Sequence, residues 1–204
     1  MEELKGYTKV DSAKGFDIYE NANYIPMGFS FDEYITEEEY AAIDAAAQSK
    51  DRILPKYLIV SENDIVKAEA CLTHAELSAY SMPSLKQFGE ICDQRKQTAC
   101  TGFTATHAGF TAQAHMEMEN YVFFSVPYEE GFTAYVDGAE TDIMKAQFGF
   151  MAVKVPAGEH DIEFKYLPSS LRKGIYMSVA GLVIFFVLLL KNCLTLKRDY
   201  GKLS

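Results

Sequence analysis

Apolar residues recur at two different spacings along this chain and then, near its end, stop alternating with polar ones. Leu4 to Val10, a turn at Asp11-Ser12-Ala13-Lys14-Gly15, and Phe16-Asp17-Ile18-Tyr19 follow the period of two of half-buried strands. Asn21-Ala22-Asn23 is turn-like, and Tyr24 to Phe31 is an apolar segment broken by Pro26 and Gly28. The spacing then lengthens. Thr36 with Glu39 three residues on is a capping-box pattern, and Glu37, Glu38 and Glu39 suit the positive end of a helix predicted over about 37–48. Lys56 to Val60 predicts a strand, and residues 61–80 carry mixed signals. Pro83-Ser84 opens a second predicted helix, about 84–96, with Leu85, Phe88, Ile91 and Cys92 on one face.

From Thr101 to Tyr166 the period returns to two. Phe103 and Ala105 open one predicted strand, Phe110 to Glu117 forms the next, and Asn120 to Val126 follows with Val122, Phe124 and Val126 on one side. Phe132 to Val136 runs into Asp137-Gly138, the strongest short hairpin signal in the chain. Thr141 to Ala146, Phe148 to Val155 and, after Pro156-Ala157-Gly158, Asp161 to Tyr166 complete the series. Short strands separated by Gly turns predict a mainly β fold: an antiparallel β-sandwich, jelly-roll-like, with two short helices, followed by one transmembrane helix.

That helix is predicted at Gly174 to Leu190, which carries no charged residue. The run sits at the lower limit for about 30 Å of hydrocarbon, and Lys191 can snorkel while Asn192 to Leu196 extends it. Leu167-Pro168-Ser169-Ser170 leaves almost no slack before it. The chain thus divides into a β-sandwich domain at 1–170, a span at 174–190 and a tail at 191–204.

Charge sharpens this division. Residues 1–170 hold 13 Lys+Arg against 28 Asp+Glu, and residues 171–204 hold 6 against 1, so an acidic body is joined to a basic membrane end. The acidic body argues against nucleic acid as a partner, which requires a cationic face. Four basic residues follow the span (Lys191, Lys197, Arg198, Lys202) and two precede it closely (Arg172, Lys173). By the positive-inside rule the tail is expected in the cytoplasm and the body outside it. Met1-Glu2-Glu3-Leu4-Lys5 has neither the basic nor the apolar region of a signal peptide. Export of the body therefore implies the C-terminal piece of a longer multi-span protein; a tail-anchored cytosolic protein is the alternative, and the charge balance favours the first.

Candidate chemistry is sparse. His74, His107, His115 and His160 are scattered with no metal-ligand spacing, and the carboxylates spread evenly over helix starts and strand faces, as solvating groups do. Asp137, Glu140 and Asp142 lack the ligand-dense loop of a calcium site. No metal, cofactor or catalytic residue is expected in this chain. Among Cys71, Cys92 and Cys100, one disulfide and free half-buried thiols both fit; Cys193 lies at the membrane boundary.

Several stretches together resemble the terminal part of the YfhO family. They are Tyr121-Val122-Phe123-Phe124-Ser125-Val126-Pro127-Tyr128, Gly131 to Gly138, Gly149 to Gly158 and the Tyr166-Leu167-Pro168 exit into a membrane helix, with Tyr19-Glu20-Asn21 and Pro26 near the start. The resemblance implies a bacterial polytopic membrane protein, similar to glycosyltransferases that use lipid-linked sugars outside the membrane, some of them tied to glycosylation of polymers such as lipoteichoic acid. The family's catalytic acid is expected in an early extracytoplasmic loop, which this single-span chain does not contain. Where the family often has Trp after the Gly, this chain has Phe132.

Clustered aromatic residues offer the remaining chemistry. Exposed rings on a sandwich face can stack on sugars, although alternation sends half of such rings inward. Tyr128, Phe132 and Tyr135 are the candidates for contact with a cell-envelope glycan. The expected partners are the lipid bilayer, the remaining transmembrane part of the parent protein and such a glycan. Two other readings compete with a non-catalytic ectodomain: a membrane-tethered carbohydrate-binding sandwich without an enzyme, and a tail-anchored interaction protein.

Overall fold

The protein, taken here as a computed structural model, is described over residues 6–43, 50–76 and 83–200. β1 (Tyr7–Ala13) and β2 (Phe16–Asn21) pair antiparallel as a separate ribbon. β3 (Phe29–Ser30) and β4 (Glu33–Thr36) lead into α1 (Glu37–Ala42). β5 (Leu58–Val60), α2 (Ile65–Glu69), β6 (Thr73–His74) and α3 (Leu85–Gln97) follow. The β-rich half comprises β7 (Thr101–Thr106), β8 (Gly109–Met116), β9 (Asn120–Pro127), β10 (Phe132–Val136), β11 (Ala139–Thr141), β12 (Ile143–Ala146), β13 (Phe150–Val155) and β14 (Gly158–Tyr166). α4 (Ser169–Tyr200) closes the chain.

These strands form a five-stranded sheet, ordered β11-β10-β14-β8-β7, and a seven-stranded one, ordered β3-β9-β13-β12-β5-β4-β6. Alternation explains why the two sheets pack. β8 buries Phe110, Ala112, Ala114 and Met116 while Gln113 and His115 face out, and β14 contributes Ile162 and Phe164. Across the interface stand Val122 and Phe124 of β9 with Met151, Val153 and Val155 of β13. Each large apolar side chain so buried contributes about 1.5–3 kcal/mol. The larger sheet is covered on its far face too, where Tyr121, Phe123 and Ala152 meet Phe29, Phe31, Tyr34, Ala68 and Leu72. Burial on both faces is why β9 is apolar almost without interruption. Gly28 makes the entry to β3 possible: its φ is +79°, and a Cβ there would stand 2.6 Å from the Phe124 ring and 2.8 Å from Cys100 Sγ.

Arg95 of α3 joins helix to sheet. Its side chain is 6% exposed. Nε donates to Pro55 O at 3.0 Å, Nη1 to Ser30 O at 2.7 Å and Nη2 to Asp32 Oδ2 at 2.9 Å, with the guanidinium 5.2 Å from the Phe31 ring centre.

The mainly β architecture and the Asp137-Gly138 hairpin follow the sequence, and several details differ. β4 pairs in parallel with β5 and with β6, so the larger sheet is mixed rather than purely antiparallel. Thr141 to Ala146 is not one strand, because the chain passes between sheets at Asp142. Phe148 lies in a turn, and its strand begins at Phe150. The Phe16–Tyr19 strand is exposed rather than half-buried, since nothing among the described residues covers the ribbon. α1 keeps its predicted capping box but stops at Ala42, where Ile43 turns extended to pack near Ile35 and Ile53; the rest of the predicted helix, 44–48, lies outside the described residues, as does the start of the first predicted strand. α3 also has its capping box, on Ser84 and Gln87, but Leu85 is exposed and Arg95 takes a buried position instead. Cys71, Cys92 and Cys100 are free.

α4 begins inside the predicted linker and continues past Leu190. Its stretch Ser169–Lys191, 23 residues, is long and apolar enough to cross a membrane; the most apolar 18 residues within it have mean hydropathy 2.2, and none of that part is buried. At about 1.5 Å per residue it reaches roughly 35 Å, against about 30 Å of hydrocarbon.

Candidate functional site: an aromatic cleft beside the β12–β13 turn

Ala146 pairs with Phe150, leaving Gln147, Phe148 and Gly149 to turn the hairpin. All three have positive φ: 50°, 66° and 129°. For a non-glycine residue that conformation costs on the order of 1–3 kcal/mol, and such strain concentrates at functional positions. The surroundings hold it in place. Gln147 N–H donates to Ile59 O at 2.8 Å, Gly149 N–H to Ala146 O at 3.1 Å, and Tyr128 N–H to Gly149 O at 2.8 Å.

The turn gives two side chains opposite fates. Gln147 is 7% exposed, and its amide N–H groups donate to Leu54 O and Tyr57 O, both at 2.9 Å. Its Oε1 is buried with no hydrogen-bond partner, the one such side-chain atom among the described residues. Phe148 is 54% exposed and leans on Tyr40 at 5.0 Å between ring centres.

Both residues line a cleft of about 460 Å³. Its inner rings are the buried Phe29 and Phe123 and the half-buried Phe150, which meet edge-on at 5.4 and 6.0 Å between centres. Phe88 and Cys92 of α3 stand on one side and the 51–55 turn on another. Tyr24, 63% exposed, adds a further ring. Asn21, Asn23, Ser125 and Asp51 supply polar groups, and among the described residues Asp51 is the sole charge lining the cleft.

The three aromatic residues singled out from sequence lie elsewhere and share no platform. Tyr128 is half-buried against the inter-sheet core, with Lys145 Nζ 4.2 Å from its ring centre. Phe132 packs toward the same core, 4.8 Å from Tyr166 and 6.3 Å from Phe164. Tyr135 projects from the other face of β10, opposite Glu140 and Glu163, with Lys165 Nζ 4.8 Å from its ring centre. The cleft escaped sequence reading because its parts come from around residues 24, 51, 88, 124 and 148, and no local pattern links them. The only local trace was Phe148-Gly149 after Gln147, which reads as a strand start.

Three of the four histidines are engaged in pairs with carboxylates. His74 meets Glu39 at 2.9 Å, His115 meets Glu159 at 2.5 Å and His160 Nδ1 meets Asp137 at 2.6 Å. Asp137 holds the His160 imidazole above its usual pKa, and His160 holds the Asp137 carboxyl below its own. Burial pushes the Cys100 thiol up to about 12. Among the described residues no group of three or more His, Cys, Asp or Glu is placed to hold a metal ion.

Comparison with known proteins adds context. A family profile described as "Bacterial membrane protein YfhO" matches residues 64–178. A Bacillus subtilis (strain 168) protein, "Uncharacterized protein YfhO", is 27% identical over 74 residues, which is 36% of this chain and 9% of that protein. The aligned part thus spans about a tenth of its relative. No solved structure matches the chain.

Proposed function

Because the chain belongs to the YfhO family of bacterial membrane proteins, we propose that its sandwich is the extracytoplasmic C-terminal domain of a polytopic protein that works in cell-envelope glycosylation. In this reading the domain catalyses nothing itself. It caps the membrane-embedded catalytic part and guides an acceptor glycan, with Tyr128, Phe132 and Tyr135 as contact candidates. The single observation that carries the reading is the joint. An acidic sandwich runs, after Leu167 and Pro168 alone, into a fully exposed apolar helix of spanning length whose far end is basic. That charge order is the one the positive-inside rule associates with an exported body.

Cysteine accessibility in intact cells tests the topology. In a cysteine-free background, His107→Cys in the β7–β8 turn should react with a membrane-impermeant maleimide. Ser204→Cys should react only after permeabilisation. The reverse pattern would place the body in the cytoplasm and end this reading.

A further inference from the structure

We propose that the aromatic cleft beside the Gln147–Gly149 turn is a saccharide site, shaped for a neutral hexopyranose unit of a short oligosaccharide. This deepens the glycan-handling reading and rests on it for the source of the sugar, while the site itself is argued from its lining. The volume of about 460 Å³ lies within the range of small-ligand sites. The lining is dominated by rings rather than aliphatic chains, and Tyr24 and Phe148 present exposed faces. A pyranose offers a flat C–H face to such rings, where an alkyl chain has no preferred geometry. Gln147 also belongs to the lining, with its amide N–H groups committed to the carbonyls of Leu54 and Tyr57. Asn21, Asn23 and Asp51 add donors and acceptors for further hydroxyls. Charge narrows the class. Among the described lining residues the one charged group is a carboxylate, Asp51, so a phosphate-bearing polymer segment finds no cation in that lining. The strained turn explains how an apolar ring is held in solvent at this edge.

Saturation-transfer NMR on the full chain in phosphatidylglycerol nanodiscs, free of sugar-based detergent, tests this. The probes are methyl β-D-glucopyranoside, N-acetylglucosamine, cellobiose, inorganic phosphate and tetramethylammonium. Transfer to the sugars' C–H protons is expected, and Phe148→Ala or Tyr24→Ala should weaken binding about tenfold while the circular dichroism spectrum stays unchanged. Three outcomes would overturn the site: no transfer to any sugar, tighter binding of tetramethylammonium or phosphate than of the sugars, or sugar binding that both substitutions leave intact. If Tyr135→Ala removed binding and Phe148→Ala did not, the sugar would sit on the outer face of β10, and the cleft would fail while the glycan reading stood. The cysteine-accessibility experiment fails independently of all these results, because it reports topology and not binding.

Discussion

Replacing Arg95 with Ala should be among the most damaging single substitutions on the helical side of the larger sheet. The side chain is 6% exposed and ends in three hydrogen bonds, two of them to the backbone carbonyls of Ser30 and Pro55. The third partner, Asp32, has a side chain 81% exposed. Losing the arginine therefore costs little at Asp32, which water can solvate, and much at the carbonyls. A buried polar group left without its partner costs about 1–3 kcal/mol. Thr98 Oγ1, at 3.5 Å from Ser30 O, is a poor replacement. Adding the lost packing against Phe31, the total is about 3–5 kcal/mol, or roughly 10 °C in melting temperature for a domain of this size. Asp32→Asn should cost under about 1 kcal/mol, because an ion pair this exposed on one side contributes little. Arg95→Lys should resemble the alanine variant, since one ammonium cannot reproduce a three-way fork. Urea titrations of the full chain in mild detergent, followed by the circular dichroism of its tyrosines, measure all three. The carbonyl argument is refuted if Asp32→Asn costs as much as Arg95→Ala, or if Arg95→Ala costs less than about 1 kcal/mol.

The remaining predictions concern protons and thiols. The His160–Asp137 pair should stabilise the fold most between the two residues' ordinary values, 3.8 for the carboxyl and 6.5 for the imidazole. Above that window the contribution fades as His160, held above its usual value, gives up its proton; below it the contribution fades as Asp137, held below its own, gains one. The melting-temperature difference between the natural chain and Asp137→Asn, followed against pH, should peak inside the window; a difference that is flat with pH would show that the pair is not coupled to folding. In a Cys193→Ser background at pH 8, a maleimide should label half-buried Cys71 before Cys92 or Cys100, both of which should await unfolding. Native Cys100 reacting as fast as Cys71 would contradict its burial.

What could be seen in the sequence was local. Thr36 and Ser84 mark helix starts because each cap forms between residues three apart, and both capping boxes are present. Asp137-Gly138 marks its hairpin because both residues tolerate positive φ, at 51° and 79°. Gln147-Phe148-Gly149 turns a three-residue hairpin whose first two residues have no such tolerance, so tertiary contacts decide it and nothing nearby announces it. The same holds for Ile43, which leaves an Ala-rich helical pattern to reach the cluster around Ile35 and Ile53. The parallel pairing of β6 with β4 depends on residues 61–72 carrying the chain past β4 from β5, and their mixed signals hid it. The three aromatic candidates were chosen by proximity in sequence, but strand alternation separates Phe132 from Tyr135, and the aromatic cleft forms from five distant segments.

The helix α4 is tied to β14, which lies in the middle of its sheet with β10 on one side and β8 on the other. A pull exerted through the membrane rod therefore loads that strand along its length. Two ladders must slide at once, and there is no free edge from which to peel them one bond at a time. The stem is thereby rooted in two rows of hydrogen bonds, where a rim strand would offer it one.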